Sequence, residues 1–189
     1  MAVVGAKVVG NDLGCNVHGI GSSRDPADKV VQEIGERGGT AIASYDDVAT
    51  MAGGENIVKT AIDNFGRLDI LVTAHGILRD RMLFNMTEEE WDRVIAVHLK
   101  GTFTCTKFAS IQMRQQKGGR IITFTSSVGL YGSTGQANYA AAKDGIAAFT
   151  RVVSRDLGRY GVTVNSIAPS ADTRMSETIP ENVRQARRR

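Results

Sequence analysis

A chain of 189 residues, 42% apolar and 23% charged, has room for one domain with a real core and little room for a second. Its formal charge of +3 comes largely from the terminal run RQARRR, a solvated tail, and its 6% aromatics are not interleaved with basic residues, so nothing argues for nucleic acid. No apolar run reaches the ~18 residues of a bilayer crossing, and the opening MAVVGAKVVG lacks a signal-peptide pattern.

In chain order, AKVVGND (6–12) is a short β-rich run. DPADKVVQEIGERGG (25–39) has Pro26 near its start and Gly38 at its end, which predicts a capped amphipathic helix with Val30, Val31 and Ile34 as its apolar stripe. TAIASYDD (40–47) predicts a second strand, and GGENIVKTAIDNFGR (53–67) a helix with Ile57, Val58, Ile62 and Phe65 on one side. LDILVTAHG (68–76) is a continuous apolar run, the pattern of a strand buried on both faces. TEEEWDRVIAVHLKGTFTCTKFASIQMRQQ (87–116) predicts one long helix, opened by Thr87 with acids at its positive end. GRIITFTSS (119–127), NYAAAKDGIAAFTRVVSRDLGRY (138–160) and GVTVNSIAP (161–169) predict a buried strand, a helix and a last strand stopped by Pro169. Strands separated by helices imply βαβ units with right-handed crossovers. The expected fold is α/β, a doubly wound, Rossmann-like parallel sheet in a single domain over residues 1–189.

In such sheets ligands bind beyond the carboxyl ends of the strands, which directs attention to Asp12, Asp46, Thr73 to Gly76, Ser126, Ser127 and the residues from Pro169 onward. A carboxylate at Asp12 can accept hydrogen bonds from both hydroxyls of an adenosine ribose and repels a 2′-phosphate, favouring NAD over NADP; it can equally cap a turn. Asp46 carries the same two readings, an adenine contact or a turn. Tyr139 and Lys143 are four residues apart and share a helix face. The ammonium is expected to lower the phenol's pKa so that Tyr139 can exchange a proton near neutrality. Ser126, after a buried strand, can hydrogen-bond the same substrate oxygen, with Ser127 as its rival. Tyrosine and lysine at this spacing are common on helix surfaces, and it is the strand, serine, glycine-rich loop and helix in succession that gives them meaning. Cys15 and Cys105 form neither a metal-like spacing nor a disulfide framework, so no metal and a reducing cytoplasm are expected.

SSVGLYGSTGQANYAAAK (126–143) resembles the active-site segment of the short-chain dehydrogenases/reductases, and the likeness continues through VVGNDLG, GRLDILV, GILRDRMLFNMTEEEWDRVIAVHLKGTF and VTVNSIAP. NDLG, ASYDDVATM, GILRDR and VHLKGTF are most similar to the (3R)-hydroxyacyl-CoA dehydrogenase part of peroxisomal multifunctional enzymes and their bacterial relatives. The resemblance implies Tyr139 as general acid/base, Ser126 as the residue holding the carbonyl or alkoxide oxygen, and Lys143 as the partner of Tyr139 and of the nicotinamide ribose. It implies Asp12 at the ribose hydroxyls, Asp46 and Asp47 at the adenine edge, Gly76 at a close backbone approach, and Pro169 to Thr173 beside the nicotinamide amide. The implied reaction is NAD-dependent interconversion of a secondary alcohol, a 3-hydroxyacyl thioester or similar, and a ketone. The long helices imply a homodimer or homotetramer.

Three departures from the family pattern stand out. His98 occupies the place of an asparagine that serves a proton relay, and is expected either to hold a relay water or to be a packed side chain. TAHG (73–76) replaces NNAG, so Ala74 cannot tether neighbouring strand ends. The strand and TGxxxGxG loop with which the family begins are not found; GNDLGCNVHGIGSS (10–23) has glycines at the wrong spacing and reads as an ordinary loop. The first strand of the family, normally central, and its last strand are therefore expected to be lacking. Two sheet edges would then face each other across a gap, each buried unpaired group costing ~1–3 kcal/mol. That expectation sets a rival function beside the dehydrogenase: a catalytically silent relative acting as a binding or assembly module, with a nucleotide-binding sensor as a third reading.

Overall fold

Short β-branched runs make the strands, and their pairing decides the architecture. The computed structural model describes residues 1–170. β1 (Lys7–Asn11) pairs in parallel with β2 (Thr40–Ser44), running from Lys7 opposite Thr40 to Asn11 opposite Ser44. β3 (Ile70–Thr73), β4 (Gly119–Phe124) and β5 (Val162–Ile167) form a second parallel sheet in that order. The class is the expected α/β one, but the sheet is divided. β1 and β3 line opposite sides of a cleft of about 890 Å³.

The helices fall largely where periodicity and caps put them. α1 (Asp25–Glu36) starts with Pro26 in its first turn. α2 (Met51–Phe65) is capped by Thr50, whose side chain accepts from Gly53 N, and ends at Gly66 with φ 77°. α3 (Glu88–Ile95) opens with a capping box, the Thr87 hydroxyl taking Glu90 N and the Glu90 carboxylate taking Thr87 N. The single helix expected over 87–116 is interrupted by a π-helical turn, Ala96–Lys100, before α4 (Gly101–Gln116). This wider turn carries His98, and the Thr102 hydroxyl donates to the His98 carbonyl at 2.8 Å. α5 (Ser127–Tyr131) and α6 (Ala137–Gly158) follow β4.

The core lies between the β3–β4–β5 sheet and α3, α4 and α6, with Val94, Ala109, Met113 and Ile121 all 0% exposed. Two packing expectations need correction. Val30 of α1 is 48% exposed and only Ala27 of that helix is buried; a two-stranded sheet is too narrow to cover a whole helical stripe. β3 is not covered on both faces. Leu71 and Thr73 are buried beneath α4, while Ile70 and Val72 on the other face are 40% and 36% exposed. Water therefore reaches the cleft edge, and the unpaired backbone groups there escape the full burial penalty.

Two glycines let α2 approach its neighbours. A Cβ on Gly53 would lie 2.0 Å from the Asp47 carbonyl oxygen, and one on Gly54 would lie 2.7 Å from Thr104 Cβ. Gly54→Ala is expected to lower stability by about 1–3 kcal/mol in urea titration. Gly35→Ala, at a helical position with nothing within 4 Å of the added carbon, is expected to raise it by about 0.5–1 kcal/mol. A neutral Gly54→Ala would remove the close α2–α4 crossing.

Candidate active site

β4 ends at Phe124, and the chain turns through Thr125 into Ser126, the N-cap of α5, whose hydroxyl accepts from Val128 N at 3.1 Å. Ser127 is exposed on the first turn of α5, so the serine at the strand end is Ser126. Two reciprocal bonds fasten the start of α6 to this strand end. Lys143 Nζ donates to the Phe124 carbonyl at 2.7 Å, and the Thr125 hydroxyl donates to the Lys143 carbonyl at 2.7 Å. Tyr139 lies one helical turn earlier, its ring centroid 5.7 Å from Lys143 Nζ. Lys143 is 5% exposed, and burial pushes its pKa down to about 8.

The expected lowering of the Tyr139 pKa does not appear in the free chain. Burial raises the phenol above its ordinary value; the Ser126 hydroxyl pulls it down and the charge of Asp80 adds to the rise. Desolvation of the phenol is the largest influence on it.

The residue before the tyrosine went unnoticed in the sequence. Asn138 is 0% exposed; its amide donates to the carbonyls of Arg79 at 3.0 Å and Glu90 at 2.9 Å, and its oxygen accepts Tyr139 N at 2.7 Å. It holds the first turn of α6 against α3 and the loop after β3. Arg81 strengthens that contact, pairing with Glu90 at 2.9 Å and giving its backbone N–H to Gly135 at 2.8 Å. Gln136 donates to Asp80 at 2.9 Å. An amide set into an otherwise alanine-rich helix start was the available signal.

His98 is 1% exposed, with its ring edge-on to Tyr139 at 5.2 Å between centroids and 89° between planes. Its Nε2 lies 2.8 Å from the Ile77 carbonyl oxygen and 3.1 Å from Ile77 N, and its buried Nδ1 has no partner among the described residues. The structure thus places His98 as a packed clamp on the loop after β3. Gly76 is required by this ring, since a Cβ there would lie 2.3 Å from His98 Cε1. His98 is held neutral, its pKa pushed to about 3 by burial and then by the Lys143 charge. His75 is lowered to about 4 by the same two causes, and its buried Nε2 also has no partner among the described residues.

The cofactor candidates gather at the carboxyl mouth of the cleft. Asp12, Asp46, Asp47, His75 and Gly76 all line it. Asp12 also caps a turn, accepting Gly14 N at 2.7 Å. Asp46 accepts from Ser44 Oγ and Asn56 Nδ2, and Asp47 accepts Ala49 N and pairs with Arg93 at 3.5 Å. Asn11 ties the end of β1 to that of β2: its amide donates to the Asp46 carbonyl at 3.1 Å and its oxygen accepts Asp46 N at 3.0 Å. Ser126, Tyr139 and Lys143 form a second cluster, and the 75–78 loop joins the two. Pro169 is exposed just past β5, and Thr173 lies outside the described residues. In the loop after β1, Gly14, Gly19 and Gly21 all have positive φ, and α1 does not begin until Asp25.

Comparison with known proteins gives this arrangement a context. The family model for short chain dehydrogenases matches residues 8–184. The peroxisomal multifunctional enzyme type 2 of Mus musculus is 45% identical over 96% of this chain, which covers 24% of that protein. The 3-oxoacyl-[acyl-carrier-protein] reductase of Synechocystis sp. is 45% identical over 89% of this chain and 65% of its own length. A crystal structure of a short chain dehydrogenase from Mycobacterium avium superposes with a TM-score of 0.83 at 49% identity, covering 92% of this chain and 62% of that one. The chain thus spans about a quarter of the multifunctional enzyme and just under two thirds of the other two.

The buried imidazoles make stability depend on acid. Unfolded, each titrates near its usual 6.5; folded, they stay neutral to about 4 and about 3. The unfolded chain therefore takes up protons first. Stability is intact above pH 6.5 and is lost as pH falls toward 4. Urea unfolding between pH 6.5 and 4.5 is expected to show a loss of roughly 2–3 kcal/mol per imidazole. His98→Asn should reduce that slope; an unchanged slope would contradict the burial of His98.

Proposed function

We propose, since the chain belongs to the short chain dehydrogenase family, that it interconverts a secondary alcohol and a ketone, using NAD in preference to NADP. The observation that carries the reading is the single cluster of Ser126, Tyr139 and Lys143, fixed by the 2.7 Å bond from Lys143 Nζ to the last carbonyl of β4. The residues present fit a dinucleotide. Carboxylates of Asp12, Asp46 and Asp47 border the cleft, and the orphaned Nε2 of His75 lies among them. Asp12 would meet the adenosine ribose, Asp46 and Asp47 the adenine edge, and Lys143 and Tyr139 the nicotinamide ribose. When bound, the dinucleotide supplies the hydride chemistry.

The chain's own groups manage the proton. In the ketone-to-alcohol direction Tyr139, protonated at neutral pH by its raised pKa, donates from its hydroxyl to the substrate oxygen. Ser126 Oγ hydrogen-bonds that oxygen and stabilises the charge that develops on it. In the reverse direction Tyr139 must first release its phenolic proton to solvent; the Lys143 ammonium offsets the charge on the phenolate, which then takes the proton of the substrate alcohol.

A 3-hydroxyacyl or 3-oxoacyl thioester suits this reading, as the name of the Synechocystis relative suggests. Leu83, Phe84, Leu130 and Tyr131 are 52–86% exposed on segments adjoining the stitched 79–81 and 135–138 loops, an apolar surface suited to an acyl chain. A second copy would cover Phe103 and Ile111, exposed at 41% and 42% at a hollow of about 640 Å³ between α4 and α6. The free thiols Cys15 and Cys105 accord with a reducing, cytoplasmic setting. The divided sheet favours the second reading, a silent binding or assembly module, because among the described residues no helix start borders the cleft on a glycine-rich loop to receive a pyrophosphate.

Calorimetric titration with NADH separates the readings: saturable binding supports the dehydrogenase and its absence supports the silent module. Tyr139→Phe is expected to cut oxidation of 3-hydroxyacyl thioesters by at least ~100-fold while leaving the fold intact; full turnover would remove Tyr139 from proton transfer. Asp12→Ala is expected to narrow the preference for NAD over NADP, and an unaltered preference would remove Asp12 from the ribose site.

A further inference from the structure

We propose that Asp80 is a specificity-determining residue, whose carboxylate turns away substrates carrying a free carboxylate two bonds from the reacting carbon and leaves the thioesters of the same acids to react. The proposal rests on the dehydrogenase reading and adds to it a residue that selects by repulsion.

Three consecutive residues are fixed to the segment that leads into α6. The Arg79 carbonyl accepts Asn138 Nδ2 at 3.0 Å, the Asp80 carboxylate accepts Gln136 Nε2 at 2.9 Å, and Arg81 N donates to the Gly135 carbonyl at 2.8 Å. Main-chain anchors thus stand on both sides of Asp80, and its own side chain is held as well. The neighbouring cations do not neutralise it. Arg79 donates to the His18 carbonyl at 2.6 Å and pairs with Glu89 at 3.5 Å, and Arg81 pairs with Glu90 at 2.9 Å. Among the described residues Asp80 makes no ion pair. Its charge is felt at the Tyr139 phenol, where it adds to the raised pKa.

A substrate oxygen that exchanges a proton with Tyr139 lies within hydrogen-bond reach of the phenol. In a 3-hydroxy acid the carboxyl carbon is two bonds from the carbon bearing that oxygen, so a charge that acts on the phenol acts on the carboxylate too. Between like unit charges roughly 6–10 Å apart, at an effective dielectric of ~20, the repulsion is worth about 10- to 100-fold in binding. A thioester at the same carbon carries no charge and escapes it. Lys143 does not reverse the sign, because its ammonium is committed to the Phe124 carbonyl and the residue is buried.

The test follows oxidation by NAD of racemic 3-hydroxybutyrate and of its N-acetylcysteamine thioester, at low ionic strength where screening is weakest. It uses the 189-residue chain and its Asp80→Asn and Asp80→Glu variants, and reads the ratio of kcat/KM for thioester over acid. Asp80→Asn, which keeps an acceptor for Gln136, is expected to lower that ratio at least ~10-fold by admitting the acid, and Asp80→Glu to leave it within about 3-fold of the parent value. An unshifted ratio in Asp80→Asn would overturn the proposal. So would an equal shift in Asp80→Glu, since shape and not charge would then be at work. A second measurement needs neither cofactor nor turnover. In a carbon-13 tyrosine NMR titration of the free chain, the Tyr139 phenol, identified by its loss in Tyr139→Phe, is expected to titrate lower in Asp80→Asn; an unmoved phenol would also overturn the proposal. A lowered phenol pKa with turnover of neither substrate would reject the dehydrogenase reading itself, and with it the specificity built on it.

Discussion

A buried ammonium bonded to the last carbonyl of a strand organises this molecule. Lys143 Nζ reaches the Phe124 oxygen at 2.7 Å with 5% of the residue exposed. Lowering its pKa to about 8 amounts to a cost of about 3 kcal/mol at neutral pH, by comparison with its ordinary value. The folded chain carries that cost because the bond fixes α6 to β4, and with α6 the position of Tyr139. The same charge is felt more widely, helping to keep His98 and His75 neutral. A neutral His98 keeps Nε2 on the backbone of Ile77 and leaves its edge to pack on Tyr139. Strand end, helix start and the loop after β3 are thus tied through one cation.

Much of this was legible in the sequence. Alternation of β-rich and helical runs located the strands and helices, because hydrophobic period is local information. The spacing of Ser126, Tyr139 and Lys143 was legible for the same reason, since a helix turn converts sequence distance into a shared face. What escaped depends on long-range contacts. Asn138 makes its bonds to Arg79 and Glu90, 59 and 48 residues away, and nothing in the spacing announces them. Asn11 binds across to Asp46, 35 residues on, and ties the end of β1 to that of β2. Val30 looked like a core residue from period alone, but whether a stripe is buried depends on the width of the sheet beneath it. The lowered phenol pKa failed as an expectation because charge proximity can be read from spacing and desolvation cannot.

The two halves of the site also have different mechanical footing. Ser126, Tyr139 and Lys143 rest on the three-stranded sheet and its packed core, whereas Asp12, Asp46 and Asp47 rest on the end of a two-stranded one. The loop containing Gly76 and Ile77 is the bridge, clamped by His98 on one side and tied to Val17 and His18 through Leu78 on the other. This short stretch joins the adenosine-side and nicotinamide-side residues alongside two other links, the α2–α4 crossing at Gly54 and the Asp47–Arg93 pair. The absence of a Cβ at Gly76 is what allows the His98 ring to sit against it.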